Sequence, residues 1–276
     1  MSDVAVITGT THGIGEVTAH ALARAGRQVV MLCRDIARGE QVRAQILGHS
    51  PAARVGVVHC DLALLASVRA CAAAVRSSIG PIGLLINNAG IAPTRHRSSP
   101  DGFELAFATN HLGPFLLTAL LLDRLEAPAR IINVASRVHY RARLDLEAIP
   151  NPQAPFRSTA AYARSKLANV MHAFALARRL AGTGITANCL HPGVVRTNLL
   201  PRWLELIRPL IRRNIIDAER GARTTLHLAL AAEVAALSGR YFDEHQLEQR
   251  AAPRAYDITQ QEALWQMSSR WTGLSG

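Results

Sequence analysis

The chain is 276 residues long and 49% hydrophobic, enough apolar material for one large core, so residues 1–276 are expected to form a single domain. Thirty-one Lys and Arg residues outnumber 20 Asp and Glu, a formal charge of +11, yet the cations are dispersed and only 5% of residues are aromatic, which argues against a nucleic-acid partner. Cys33, Cys60, Cys71 and Cys189 lack C-x-x-C spacing, so neither a zinc site nor a disulfide framework is expected, and a reducing cytoplasm fits.

The chain passes from Met1-Ser2-Asp3 directly into an apolar run, Val4–Thr8, without a basic leader, signal core or cleavage site. That run has the length of a buried strand. Thr8-Gly9-Thr10-Thr11-His12-Gly13-Ile14-Gly15 carries it into an amphipathic stretch over 14–25. Glycines at such a turn let a pyrophosphate approach the backbone and the helix N-terminus, the competing reading being an ordinary glycine turn. A second strand, over 28–33, ends at Cys33-Arg34, where an NAD site usually offers a carboxylate to the ribose. A guanidinium there favours the 2′-phosphate of NADP(H), while Asp35 either competes for Arg34 or caps the helix expected at 36–47.

Strands at 55–60, 84–86 and 130–135 follow, separated by helices at 64–78 and 103–125. A long loop at 139–158 contains Pro150, Pro152 and Pro155. Beyond it come a helix at 160–180, strands at 185–190 and 240–242, and between those a helix at 218–232. Gly26, Gly48, Gly80 and Gly182 stand just past expected helix ends. Buried strands alternating with helices predict a doubly wound Rossmann-type α/β domain with a seven-stranded parallel sheet. The longest apolar run, 112–122, falls short of the ~18–20 residues that cross a bilayer, so no membrane span is expected. Residues 197–217 break the rhythm: Trp203, Leu206, Ile207 and Leu210 recur at roughly helical spacing after the sixth strand. A helical lid over an apolar substrate is expected there. The alternatives are packing on the body of the protein, or contact with an anionic membrane surface through flanking arginines.

Lys166 is the only lysine in the chain; every other cationic Lys or Arg position is arginine. It lies four residues after Tyr162, which on a helix leaves the two side chains ~40° apart around the axis and ~6 Å apart along it. An ammonium beside a phenol can lower a tyrosine pKa by roughly 1–3 units, making it a proton donor suited to neutral pH. The plainer reading is a surface pair sharing one helix face.

Taken in order, T-G-x-x-x-G-x-G, Asn87-Asn88-Ala89-Gly90, Asn110, Ser136, Tyr162-x-x-x-Lys166 and Pro192-Gly193-x-x-x-Thr197 resemble the short-chain dehydrogenase/reductase family over nearly the whole chain. Leu32-Cys33-Arg34-Asp35, Thr109-Asn110-His111-Leu112-Gly113, Ser165-Lys166-Leu167-Ala168-Asn169 and Gly239-Arg240-Tyr241-Phe242 are similar to its retinol-dehydrogenase-like and WW-domain-oxidoreductase-like branch. His12 departs from the small polar or basic residue that many relatives carry.

The resemblance implies an NADP(H)-dependent oxidoreductase interconverting a carbonyl and an alcohol on an apolar small molecule. It implies Tyr162 as the general acid or base, with Lys166 on the nicotinamide ribose and Ser136 on the substrate oxygen. Asn110 would lie in a kinked helix and anchor a water relay behind Lys166. Gly9, Thr11, His12, Gly13, Ile14 and Gly15 would cradle the phosphates. Arg34 would take the 2′-phosphate, Asp61 and Leu62 the adenine, and Asn88, Ala89 and Gly90 the cofactor side of a strand end. Pro192, Gly193, Val195 and Thr197 would close over the nicotinamide. His111 and His191 are expected to be structural, and no metal is expected because no paired His/Cys spacing occurs. Two rival functions are a turnover-deficient NADP-binding regulatory protein and an isomerase or dehydratase. The first would be expected to lack one of the four catalytic residues, and the second usually needs a longer C-terminal domain. The long segment from Ser136 to Tyr162 can block a helix-to-helix dimer face, so a homo-oligomer is possible but not assigned.

Overall fold

The computed structural model describes residues 2–147, 149–150, 156–195 and 215–274. Its first half repeats one unit. Strand β1 (Val4–Thr8) leads into α1 (Gly13–Arg24), β2 (Gln28–Cys33) into α2 (Ile36–His49), β3 (Val55–His59) into α3 (Leu65–Ser78), and β4 (Ile82–Asn87) into α4 (Leu105–Arg124). The second half runs β5 (Leu125–Val134), α5 (Ser158–Arg179), β6 (Thr186–Leu190), β7 (Val194–Val195), β8 (Ile215–Ile216), α6 (Ala218–Leu230), β9 (Tyr241–Phe242), β10 (Glu248–Gln249) and α7 (Ile258–Thr272). Eight strands form the main sheet in the order β10-β9-β6-β5-β4-β1-β2-β3. All seven expected strands are present and mutually parallel; the eighth, β10, runs antiparallel to β9. Its two residues are exposed and polar, so no hydrophobic period announces them.

Every residue of β1, β4 and β6 is buried, as a parallel sheet covered by helices on both faces requires. Val6, Leu32 and Leu85 join Leu116 and Val75 in one apolar cluster, whereas Ile7, Met31 and Ile86 join Leu22 and Val42 in another. Burying each such side chain stabilises the fold by roughly 1.5–3 kcal/mol. Asn87, Asn133 and Cys189 are in register across β4, β5 and β6, so the chain leaves these strands along one carboxyl edge. That edge carries the site.

Helix α4 is long and apolar enough to cross a membrane, a longer apolar stretch than the run at 112–122 suggests, but 78% of its most apolar window is buried inside the protein. It is a core helix here, and it contains a π-turn at Ala108–Leu112. Gly26 and Gly182 have the positive φ of a helix terminator, whereas Gly48 lies within α2 and Gly80 follows an extended residue. Helix α7 was not anticipated. Asp257 caps its start by accepting from the Gln260 N–H, and Gly273 ends it at φ 63°. The expected lid at 197–217 lies outside the described residues except for its last three, and β7 pairs in parallel with β8 at its two ends.

Candidate active site

The glycine turn after β1 is shaped by close approaches. Gly9 has φ 73°, and a Cβ on it would lie 2.8 Å from the Ala89 Cα. A Cβ on Gly15 would collide with the Gly9 carbonyl oxygen and come within 2.5 Å of Asn88 Nδ2. The turn is pinned from β4: Asn88 Nδ2 donates to the Thr8 and Gly9 carbonyls at 2.9 and 3.2 Å, and Thr8 Oγ1 accepts from the Asn88 and Ala89 N–H groups. His12 occupies the N-cap of α1 without capping it through its side chain, so the helix's first N–H groups and positive dipole end remain for an anion.

A cleft along the carboxyl edge is lined by Gly9, Thr11, His12, Ile14 and Gly15 from this turn, and by Arg34, Asp61, Leu62, Asn88, Ala89 and Gly90 from the next strand ends. Tyr162, Lys166 and Pro192 line its other end. Leu32, Cys33, Asp35, Cys60, Ile91, Thr109, Val134 and Ala135 line it as well. Most of these flank assigned residues in the sequence, so adjacency to a strand end was the signal that could have found them. Gly13 turns the backbone at φ 62° but does not line the cleft. Neither do Gly193 and Val195: a Cβ on Gly193 would meet Ile216, and Val195 packs against Gly221 of α6. Thr197 lies outside the described residues.

Asp35 resolves its two readings by capping α2, accepting from the Arg38 N–H at 2.9 Å. Arg34 is exposed at the cleft and makes no hydrogen bond or ion pair among the described residues. Arg38 Nε donates to the Thr11 carbonyl at 3.2 Å, lashing α2 to the glycine turn.

Tyr162 and Lys166 both lie on α5, and Lys166 Nζ is 5.6 Å from the Tyr162 ring centre. Lys166 is only 3% exposed; Nζ donates to the Val134 carbonyl at 2.8 Å, leaving two N–H donors for a ligand. Gly90 packs close here: a Cβ on it would sit 3.2 Å from Nζ and 3.4 Å from Asn110 Oδ1 and would press on the lysine. Asn110 lies in the π-turn with its amide committed to protein: Oδ1 accepts from the Ile91 N–H at 2.8 Å, and Nδ2 donates to Ile91 O and Ser165 Oγ, both at 2.9 Å. It stands behind Gly90 rather than in the cleft.

The lowered tyrosine expected from the Tyr–Lys spacing is not what the surroundings produce. Burial pushes the Tyr162 phenol up to about 12, against the pull of a side-chain hydrogen bond with Ser136. Burial likewise pushes the Lys166 ammonium down to about 8. Desolvation is the leading cause for both groups. His111 is buried behind the site against Ser268 Oγ at 2.9 Å, and desolvation takes its pKa down to about 3. His191 is also buried, 3.9 Å from a Glu244 carboxylate oxygen, and is held down to about 4, mainly by burial. Neither lines the cleft.

The uncapped helix end, the glycine cradle, a guanidinium without a partner among the described residues and the two open ammonium donors together fit a dinucleotide lying along the edge. A family model described as short chain dehydrogenase matches residues 3–205. Human (Homo sapiens) retinol dehydrogenase 13 is 40% identical over 280 residues, covering 98% of this chain and 84% of that protein. The crystal structure of an uncharacterised protein from Mycobacterium Paratuberculosis superposes with a TM-score of 0.81 at 34% identity, over 98% and 93% of the two chains. A blue fluorescent protein from a metagenomic library, solved in complex with NADPH, gives a TM-score of 0.70 at 25% identity, covering 87% of this chain and 95% of that one.

Proposed function

The chain belongs to the short-chain dehydrogenase family of oxidoreductases, and we propose that within it the protein is an NADP(H)-dependent enzyme interconverting a carbonyl and an alcohol on an apolar small molecule in the cytoplasm. The observation that carries this reading is that Tyr162 and Lys166 of α5 line one end of a cleft whose other end is the glycine turn and Arg34, with Ser136, just past β5 and outside the lining, hydrogen-bonded to the Tyr162 phenol. Residues 1–276 act as one domain in this proposal.

Tyr162 gives its phenolic proton to the carbonyl oxygen in reduction and removes the alcohol proton in oxidation. A phenol held up to about 12 stays protonated at neutral pH and so favours the donor role. Ser136 Oγ, hydrogen-bonded to the phenol, polarises the same substrate oxygen. Lys166 uses its free N–H donors to hold ribose hydroxyls, and the α1 N-terminus and Arg34 hold the phosphates. Asn110 fixes Ile91 and Ser165, keeping Gly90 close to Lys166. The bound nicotinamide supplies or accepts the hydride. The naming of relatives as retinol dehydrogenases directs the substrate search toward apolar aldehydes and ketones.

The test is oxidation of NADPH, followed by absorbance, against retinal-like, long-chain and short-chain carbonyls, with NADH in parallel. Turnover of at least one apolar carbonyl with preference for NADPH is expected. Tight NADPH binding with no turnover on any of them would replace the enzyme reading with that of a cofactor-binding regulatory protein.

A further inference from the structure

His139 follows Ser136 by three residues and is fully buried, yet none of the roles above uses it. It lies in the 3-10 turn Arg137–Arg141, whose N-cap is Ser136. Its Nδ1 is 2.7 Å from the Ser136 carbonyl oxygen and its Nε2 is 3.1 Å from the Ala252 backbone nitrogen. A carbonyl only accepts and an amide N–H only donates, so the two contacts fix the ring completely. Nδ1 carries the proton and donates to Ser136, while Nε2 accepts from Ala252. An imidazolium would turn a second donor on the Ala252 N–H. Burial lowers the pKa and holds the ring in the neutral form. The ring is packed against Tyr140 and Tyr241, with centroids 4.2 and 4.9 Å away.

The same turn is tied to the same C-terminal stretch by two further bonds. The Tyr140 hydroxyl donates to the Arg250 carbonyl, and Arg254 Nη1 donates to the Ala142 carbonyl at 3.2 Å. Within the turn, by contrast, Ser136 Oγ accepts from the Val138 N–H only at 3.5 Å. Besides its bond to Tyr162, the serine's place therefore depends on its main chain, which is tied to Leu190 through the Ala135 N–H and, at the Ser136 carbonyl, to the N–H and ring of His139; of these ties the ring alone runs on to Ala252.

We infer that His139 is a positioning residue for Ser136, a single-tautomer bridge that sets the serine hydroxyl against Tyr162 by tying its carbonyl to Ala252; the inference rests on the function proposed above. Residues 250–254, more than a hundred positions away in sequence, thereby become part of the support of the active centre.

His139→Gln and His139→Asn separate the two bonds. Asparagine brings an amide donor near the place of Nδ1 and keeps the bond to Ser136. Glutamine reaches the place of Nε2, keeps an acceptor for Ala252 and loses the donor. His139→Gln is expected to lower kcat at least ~10-fold while the KM for the carbonyl and the Kd for NADPH stay within about twofold, and His139→Asn, which cannot reach Ala252, to lower kcat to a similar extent, because the bridge needs both bonds. In a Ser136→Ala background, His139→Gln should cost nothing further, because no hydroxyl remains to be positioned. Should His139→Gln fail to fold, Ala252→Pro removes the N–H that Nε2 accepts at a residue whose φ of −53° suits proline, and the same loss of kcat is expected. An active wild-type protein whose kcat is unchanged by these substitutions, or which loses as much in the Ser136→Ala background, overturns the positioning role alone. A wild-type protein that binds NADPH but reduces no carbonyl overturns the proposed function and this role with it.

Discussion

The two ends of the cleft are built differently. At the glycine-turn end, Thr8, Gly9, Asn88 and Ala89 bond to one another across adjacent parallel strands, and their positions follow from the register of β1 and β4. At the Ser136 end, the turn at Arg137–Arg141 is held by Arg250, Ala252 and Arg254, which belong to a stretch beyond the last strand. A site resting on strand register inherits the rigidity of the sheet. One resting on a distant loop is only as firm as a few side-chain bonds, so single substitutions at that end should act on chemistry before they act on cofactor binding.

The largest expected effect would break the comparison outright. Tyr162→Phe removes the one exchangeable oxygen and should lower turnover at least ~10²-fold with little change in NADPH affinity. If cofactor binding collapsed equally, as seen by fluorescence titration, the two ends would not be separable.

Arg34→Ala probes the opposite end. Losing a charge-assisted hydrogen bond to a 2′-phosphate should weaken NADPH binding roughly 10–150-fold and leave NADH nearly untouched, with kcat on saturating cofactor retained. Calorimetric titration of both cofactors decides it, and equal losses would remove Arg34 from the phosphate.

A third, smaller effect sharpens the border between the ends, where Lys166 stands. Its pKa is depressed by burial to about 8, below the ~10.4 of an unfolded chain. Between these values the unfolded state binds more protons than the native one, so this group makes stability rise with pH across that window and fall as pH drops toward 8. In the cofactor-free protein, Lys166→Met should therefore be more stable than wild type by roughly 1–3 kcal/mol at pH 7, the advantage shrinking from pH 8 to pH 10. Urea unfolding at several pH values reads this directly, and a difference that does not change with pH would rule out the buried ammonium as its source.

The smallest concerns α7. Asp257→Ala removes the acceptor for the Gln260 N–H and should lower Tm by about 2 °C. NADPH affinity should not change. A loss of affinity would tie the C-terminal segment to the wrong end of the cleft.

Much of the architecture could be read from the chain because its signals are local. The seven parallel strands, six of the seven long helices among the described residues and the irregular turn at Asn110 follow from apolar runs, their spacing and a family pattern. Helix α7 escaped because its polar sequence, IleThrGlnGlnGluAla onward, buries few residues, although Asp257 and Gly273 stood at its ends as cap signals. Strand β10 escaped because two exposed polar residues have no period. In the site, the glycine turn, Arg34, Tyr162 and Lys166 were recognisable from type and spacing, while Ile91 and Ala135 reach the cleft just past strands that end level with one another, and Thr109 reaches it from the π-turn of α4.

By itself, then, the sequence determined most of the strands and helices, that seven of the strands run parallel, and which side chains stand four apart on one helix face, since these depend on neighbours along the chain. The tertiary structure alone decided that the Tyr162 phenol is raised rather than lowered, that the apolar α4 lies within the core, and that His139 joins Ser136 to Ala252. Each of those outcomes depends on desolvation or pairing by groups far away in sequence. Burial and hydrogen-bond partners are properties of the packed molecule, and no local pattern encodes them.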